Sequence, residues 1–312
     1  MMPNRSDIEF EVKRAADKVR WRYLKGLSAY TKRDTIVYAT AFASAKLPGL
    51  PSFLISITNE DIQGFMVALE QLNGTELDLI LHSPGGVLEA AEQIVKYLRA
   101  QYNHIRVIIP QNAMSAATIM ACGADRIVMG KQSAIGPIDP QMVFPMGQVH
   151  FTAPAQSILE EFEEAKESVK ADPRTAALWI SKINNYPPGF LKVCEDTIAR
   201  SKEVVTEWLT SYMFKGEPDA TGKAVKIAQW LGNTKLHKSH GKPFMAEDAR
   251  NEGLKVDFLE EDPSLQDHVL SVFHSVLLTF ETTPCVKLVE NHNSKGRYLS
   301  IQMQVIPRPV QT

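Results

Sequence analysis

The stretch that decides the fold is Leu77-Asp78-Leu79-Ile80-Leu81-His82-Ser83-Pro84-Gly85-Gly86, an apolar run that ends in a turn of small residues. A continuous apolar run, broken only by Asp78, is typical of a buried parallel strand. A helical pattern follows Gly86 and reaches about Tyr102, and a second apolar run covers residues 105–110. Strand and helix alternating at this pace predict right-handed βαβ crossovers and an α/β fold.

The pattern can be extended along the chain in both directions. The N-terminal residues 6–27 predict an amphipathic helix, and further strands are predicted over residues 35–42, 53–57 and 126–129. After Thr152 the pattern becomes helical, with helices expected over residues 154–170, 173–184, 189–213 and 222–231. The remainder predicts a helix over 246–252, a strand over 255–258, a helix over 265–280 and a hairpin of 286–290 with 297–305.

Composition excludes several classes of function. The 312 residues include 34 Lys and Arg against 36 Asp and Glu, a balance that favours neither nucleic acid nor an anionic membrane as partner. The three cysteines are far apart and show neither a disulfide framework nor metal-ligand spacing, so we expect no metal and no cofactor. The N-terminus lacks a signal-peptide pattern, and no run approaches the ~18 apolar residues of a membrane helix. These features predict a cytoplasmic protein.

Two turns at strand ends carry the chemistry. Gly85 and Gly86 let the backbone approach a ligand and present N–H groups to a developing oxyanion, although Pro-Gly is also a common surface turn. Ser115 precedes a helix of small residues, where it is either a plain N-cap or a nucleophile with the Ala116 N–H as a second donor. Both turns fall at the carboxyl ends of predicted parallel strands, so they should face one crevice.

These motifs together resemble one family. The resemblance of this chain to that family is carried by four runs of sequence. They are His82-Ser83-Pro84-Gly85-Gly86, Ala113-Met114-Ser115-Ala116-Ala117-Thr118, Ala124-Asp125-Arg126-Ile127 and Gly136-Pro137-Ile138-Asp139-Pro140-Gln141. They are similar to the serine dehydrogenase proteinase family of the Clp protease and crotonase superfamily, which is related to signal peptide peptidase A. The likeness is close over residues 35–141 and looser over 224–256. Family members usually carry glycine after the serine, where this chain has Ala116.

The resemblance implies a fold and an activity. It implies a Clp/crotonase-like fold of repeated ββα units with a helical C-terminal region, and a serine endopeptidase in which Ser115 is the nucleophile and Gly85 and Gly86 form the oxyanion hole. The expected domains are an N-terminal helical segment (1–34), a catalytic domain (35–260) and a C-terminal helix and hairpin (261–312), which is a candidate oligomer contact. The implied partners are a peptide or unfolded protein, further copies of the chain and a separate ATP-driven unfoldase.

The general base is open between candidates. Histidine is the most frequent general base in enzymes, and His240 with Pro243 resembles a family His-Asp-Tyr-Pro segment. Lys170, or Lys166, lies on a predicted helix where a serine–lysine dyad would place its lysine. Asp139 either orients a base, binds substrate or holds its own turn by an Asx hydrogen bond.

Other interpretations are weighed against this one. A crotonase-type acyl-CoA enzyme would use the same oxyanion hole, and a scaffold or partner-binding relative would need no base. His82, at a strand end, is predicted to be structural, and His237 lies close enough to His240 to suggest a metal pair that no carboxylate or cysteine completes.

Overall fold

The computed structural model describes residues 5–44, 50–146 and 149–301. The strands are β1 (Asp34–Thr40), β2 (Glu76–His82), β3 (His104–Ile109), β4 (Asn112–Ala113), β5 (Arg126–Met129), β6 (Ala134–Ile135), β7 (Gln141–Met146), β8 (Val149–Pro154), β9 (Phe244–Met245), β10 (Val256–Phe258), β11 (Cys285–Asn291) and β12 (Gly296–Ser300).

The helices lie between and after these strands. They are α1 (Arg5–Thr31), α2 (Ser52–Ile55), α3 (Asp61–Ala68), α4 (Leu88–Gln101), α5 (Ala116–Cys122), α6 (Ala155–Ala171), α7 (Ala176–Ile183), α8 (Phe190–Trp208), α9 (Ala220–Leu231), α10 (Thr234–His237), α11 (Ala246–Asn251) and α12 (Pro263–Thr282). Short 3₁₀ turns cover Pro173–Thr175 and Leu259–Glu261, and a π-helical turn covers Leu209–Met213.

A central sheet has the strand order β10-β5-β3-β2-β1-β11-β12. The five strands from β10 to β1 are parallel, whereas β11 runs antiparallel to both β1 and β12. Strand β2 is buried on both faces, because Leu79 packs into the core on one side of the sheet and Ile80 into the core on the other. This two-sided burial explains why its sequence reads as a continuous apolar run.

The ends of the chain pack onto this sheet. Helix α1 lies against α12, and β11 pairs with β1, so the C-terminal hairpin extends the central sheet. A buried ion pair joins α1 to β11, with Arg20 Nε 2.5 Å from Glu290 Oε2. The division into three domains and the oligomer contact stay predictions.

Two local predictions were wrong. Residues 53–57 do not form a strand, because Ser52–Ile55 is a helical turn and only Ile57 forms a bridge, to Gly86. Strand pairing also continues beyond the predicted range, since β7 and β8 form a hairpin up to Pro154. In the part of the chain that the structure describes, no helix has the length and apolar character to span a membrane.

Candidate active site

Ser115 occupies a strained turn. Its backbone has φ 52° and ψ −120°, and Ala117 N donates to Met114 O over 2.9 Å, so Met114–Ala117 is a type II′ turn. This position normally takes glycine, and another residue there costs ~1–3 kcal/mol. The Ser115 side chain makes no capping hydrogen bond to α5. The plain N-cap interpretation therefore has no support, and the hydroxyl is available for other chemistry.

The two glycines of the first turn lie against this serine. Gly85 has φ 95°, and a Cβ added to it would come within 2.7 Å of Ser115 Cβ and 2.8 Å of Ala116 N. Gly86 has φ 152°, and a Cβ on it would lie 2.3 Å from Ile57 O. Both positions thus require glycine for close approach as well as for conformation.

Backbone pairing fixes the direction of the Gly86 N–H. Ile57 N donates to Gly85 O over 2.7 Å, and Val87 N donates to Ile57 O over 3.0 Å. Successive groups of an extended segment point to opposite sides, so the Gly86 N–H points away from Ile57. Neither this N–H nor that of Ala116 donates a hydrogen bond within the described residues. Two unengaged donors beside a serine match the requirement of an oxyanion hole.

A small sheet brings the second half of the site to the same place. Its strand order is β4-β6-β9, with β4 parallel to β6 and β6 antiparallel to β9. Strand β4 leads into Ser115, β6 leads into the turn that carries Asp139, and the loop containing His240 enters β9. All three segments therefore leave the small sheet at one end.

His240 and Asp139 form a pair at that end. Nδ1 of His240 lies 2.9 Å from Asp139 Oδ1, with the histidine side chain 30% exposed and the aspartate 6% exposed. A carboxylate only accepts, so Nδ1 carries the hydrogen, and in the neutral imidazole Nε2 is then the proton acceptor. Gln141 Nε2 donates to the other Asp139 oxygen over 2.6 Å and so fixes the carboxylate. Within the described residues, no hydrogen bond joins His240 to the Ser115 hydroxyl.

The lysine candidates are placed elsewhere. Lys170 lies on the outer surface of α6 with its side chain 67% exposed, and its ammonium is 2.7 Å from Glu167 Oε1. The hydrogen bond and charge of Glu167 raise the pKa of Lys170, which opposes a role as base. Lys166 pairs with Glu163 in the same way. None of these contacts favours a serine–lysine dyad.

His82 and His237, the other two histidines considered from the sequence, have packing roles. His82 is buried between Phe42 and Phe273, and this burial lowers its pKa to about 4. His237 packs against Phe244 and Trp230. Among the described residues, no group of three or more His, Cys, Asp or Glu could hold a metal ion.

Thr118 is a site residue to which sequence reasoning gave no role. Its hydroxyl donates to Ala113 O over 2.8 Å, lies 3.0 Å from Gly136 O and accepts from Gly136 N over 3.0 Å. It therefore ties helix α5 to the turn that carries Asp139. In the sequence, the one indication of such a role was that Thr118 lies within the Ala113–Thr118 run, three residues after Ser115.

A parallel α/β core with a strained serine beside free glycine and alanine N–H groups is the architecture of a serine hydrolase. The family is then given by comparison. Residues 11–263 match the model of the ClpP-like SDH-type serine proteinases, and the chain belongs to this family. The predicted family and the Clp protease-like α/β fold are confirmed.

Two individual relatives match the chain over part of its length. The chain is 33% identical over 204 residues to the uncharacterized protein MJ0137 of Methanocaldococcus jannaschii, a match that covers 62% of this chain and 68% of that protein. It is 35% identical over 158 residues to MJ1495 of the same organism, covering 48% of this chain and 51% of the relative.

Two solved structures of one protease match the chain at low similarity. A mutant of 1510-N, a membrane-bound stomatin-specific protease, is 18% identical with a TM-score of 0.40, covering 67% of this chain and 78% of that one. A second mutant of that protease, in complex with a substrate peptide, is 18% identical with a TM-score of 0.38, covering 64% and 70%.

Proposed function

We propose that this chain is a serine endopeptidase with Ser115 as nucleophile, the N–H groups of Gly86 and Ala116 as oxyanion hole, and His240 as base. The observation that carries the proposal is the strained Ser115 turn packed against Gly85. The strain serves to present the hydroxyl, because the side chain makes no structural hydrogen bond that would explain it.

The chemistry follows from this arrangement. His240 Nε2 takes the proton of Ser115 Oγ while Oγ bonds to the peptide carbonyl carbon, and the carbonyl oxygen becomes an anion between the two N–H groups. The C–N bond then breaks as His240 returns the proton to the leaving amine, and water hydrolyses the acyl-enzyme by the same path. Asp139 holds the imidazole in the tautomer that leaves Nε2 free. Catalytic hydrogen bonds often form only once substrate is bound, which allows His240 to close on Ser115.

An extended polypeptide fits the glycine turn. Gly85 O and Val87 N are occupied by Ile57, so a substrate strand is placed on the opposite edge, where the Gly86 N–H points. Binding along a backbone edge selects for chain conformation more than for side chains, which suits an unfolded protein as substrate. Assembly into a homo-oligomer and delivery by an ATP-driven unfoldase stay predictions.

The test is labelling by a fluorescent fluorophosphonate together with hydrolysis of fluorescent casein. Wild-type protein should show both, Ser115→Ala neither, and Ser239→Ala, which changes an exposed serine beside His240, should match wild type. Hydrolysis retained by Ser115→Ala would overturn the proposal, as would a wild type inert in both assays. In that case, tight binding of an acyl-CoA by calorimetry would support the crotonase alternative instead.

A further inference from the structure

A buried lysine–aspartate pair lies directly behind the glycine turn. Lys287 of β11 and Asp61 of α3 are both nearly inaccessible, and the lysine Nζ is 2.9 Å and 3.0 Å from the two carboxylate oxygens. Tyr38 of β1 donates its hydroxyl to Asp61 Oδ2 over 2.7 Å. Burial and the neighbouring carboxylate raise the pKa of Tyr38, so the phenol remains a donor.

The pair is bonded to the two peptide groups that flank Ile57. Lys287 Nζ donates to Ser56 O over 2.6 Å, and Thr58 N donates to Asp61 Oδ2 over 2.8 Å. The opposite ends of the same two peptide groups are the Ile57 N–H and the Ile57 carbonyl. Those two groups hold Gly85 O and Val87 N, on either side of Gly86.

Each of these peptide groups is therefore bonded at both ends. Peptide groups are planar, so a charge that fixes one end also fixes the direction of the other. An ammonium on a carbonyl also polarises the peptide and strengthens the hydrogen bond made by its N–H, an effect that is larger in a buried environment. Ile57 is fully buried, which keeps water from replacing either bond.

We propose that Lys287 and Asp61 are positioning residues that hold the Gly86 N–H in its oxyanion-binding direction through the peptide groups of Ile57. The proposal rests on the proposed function, since it assumes that Gly86 is an oxyanion donor. It also gives the pair a role other than stability, because a buried ion pair often contributes less to stability than well-packed apolar residues would.

The test compares two double variants with matched burial. Asp61→Asn with Lys287→Met removes this pair and leaves no unpaired charge, while Arg20→Met with Glu290→Gln removes a second buried pair, whose side chains are 0% exposed. The readouts are the rate constant kinact and the half-saturating concentration KI for fluorophosphonate labelling. We expect the first variant to lose about tenfold or more in kinact with KI changed less than about threefold, and the second to keep both values.

Equal kinact values in the two variants would overturn the inference, whether both fell or neither did. Tyr38→Phe provides a milder change if the double variant does not fold, since it removes a single hydrogen bond from Asp61. It should lower kinact by about threefold at unchanged KI, and a wild-type kinact would overturn the inference. Failure of the proposed function is seen separately, as casein hydrolysis retained by Ser115→Ala.

Discussion

The two halves of the candidate site are built in different ways. In the nucleophile half, the Gly85–Gly86 turn follows the buried parallel strand β2, and the short strand β4 that leads into Ser115 is bonded through its backbone to Ser83 in the same segment. The base half, Asp139 with His240, stands on loops around a sheet of two-residue strands, and its histidine is 30% exposed. Oxyanion donors stabilise the transition state best when they are held in place before the reaction. The hydrogen bond of a general base, in contrast, often forms only once substrate is bound.

Removing the base half tests whether it takes part at all. His240→Gln and Asp139→Asn should each lower kcat for casein hydrolysis by ~10²–10⁴-fold, because a general base contributes about that much. Lys170→Gln should leave kcat unchanged, since the lysine is exposed and paired with Glu167. The opposite pattern, with Lys170→Gln inactive and His240→Gln active, would replace the histidine by the lysine as base.

A substitution at Gly86 tests whether the nucleophile half requires the close approach of the Gly86 backbone to Ile57. Gly86→Ala would place a methyl group 2.3 Å from Ile57 O, so the turn must move and the N–H direction with it. We expect kcat to fall by ~10²–10³-fold, the loss seen when one oxyanion donor is removed. Gly216→Ala is the control, because Gly216 also has a positive φ, 79°, but nothing lies within 4 Å of an added Cβ. A Gly86→Ala enzyme as active as Gly216→Ala would remove Gly86 from the site.

The two halves also differ in how well they could be predicted. Ser115 and the glycines lie in short strand-turn-helix signals, so local sequence was enough to place their turns. The pairing of His240 with Asp139 spans 101 positions and depends on how β9 meets β6, which no local pattern encodes.

Other features depended on tertiary context in the same way. Lys287 carried no signal, because its partners come from α3 and the segment before it. Residues 53–57 have strand-like composition, but only Ile57 finds a partner, so the rest forms a helical turn. Strand propensity therefore failed where no neighbouring strand was present to pair with.

The burial of His82 beneath the nucleophile half can be tested by the pH dependence of protein stability. His82 ends β2 directly before the glycine turn, and burial holds its pKa at about 4 against an ordinary 6.5. Between these values the unfolded chain binds the proton and the folded chain does not, so the free energy of unfolding should fall as pH falls from 6.5 to 4. The full loss is about 3 kcal/mol.

Urea unfolding at several pH values measures this loss. His82→Phe, which suits a position between Phe42 and Phe273, should show a shallower decline over the same range. The half-buried His274 and His104, whose pKa values are also lowered by desolvation, would account for the slope that remains. Identical slopes in wild type and His82→Phe would mean that folding does not lower the pKa of His82.

The smallest expected effect concerns the strain at Ser115 itself. Ser115→Ala keeps a Cβ at φ 52°, whereas Ser115→Gly removes it, so the glycine variant should be more stable by about 1 kcal/mol although both are inactive. At Ser201, inside helix α8, the same pair should show the reverse order, because glycine is the poorer helix former. Urea unfolding of the four variants measures both differences. A glycine variant no more stable than the alanine variant at position 115 would mean that this turn stores no strain, and the nucleophile half would then lose the feature that most distinguishes it from the base half.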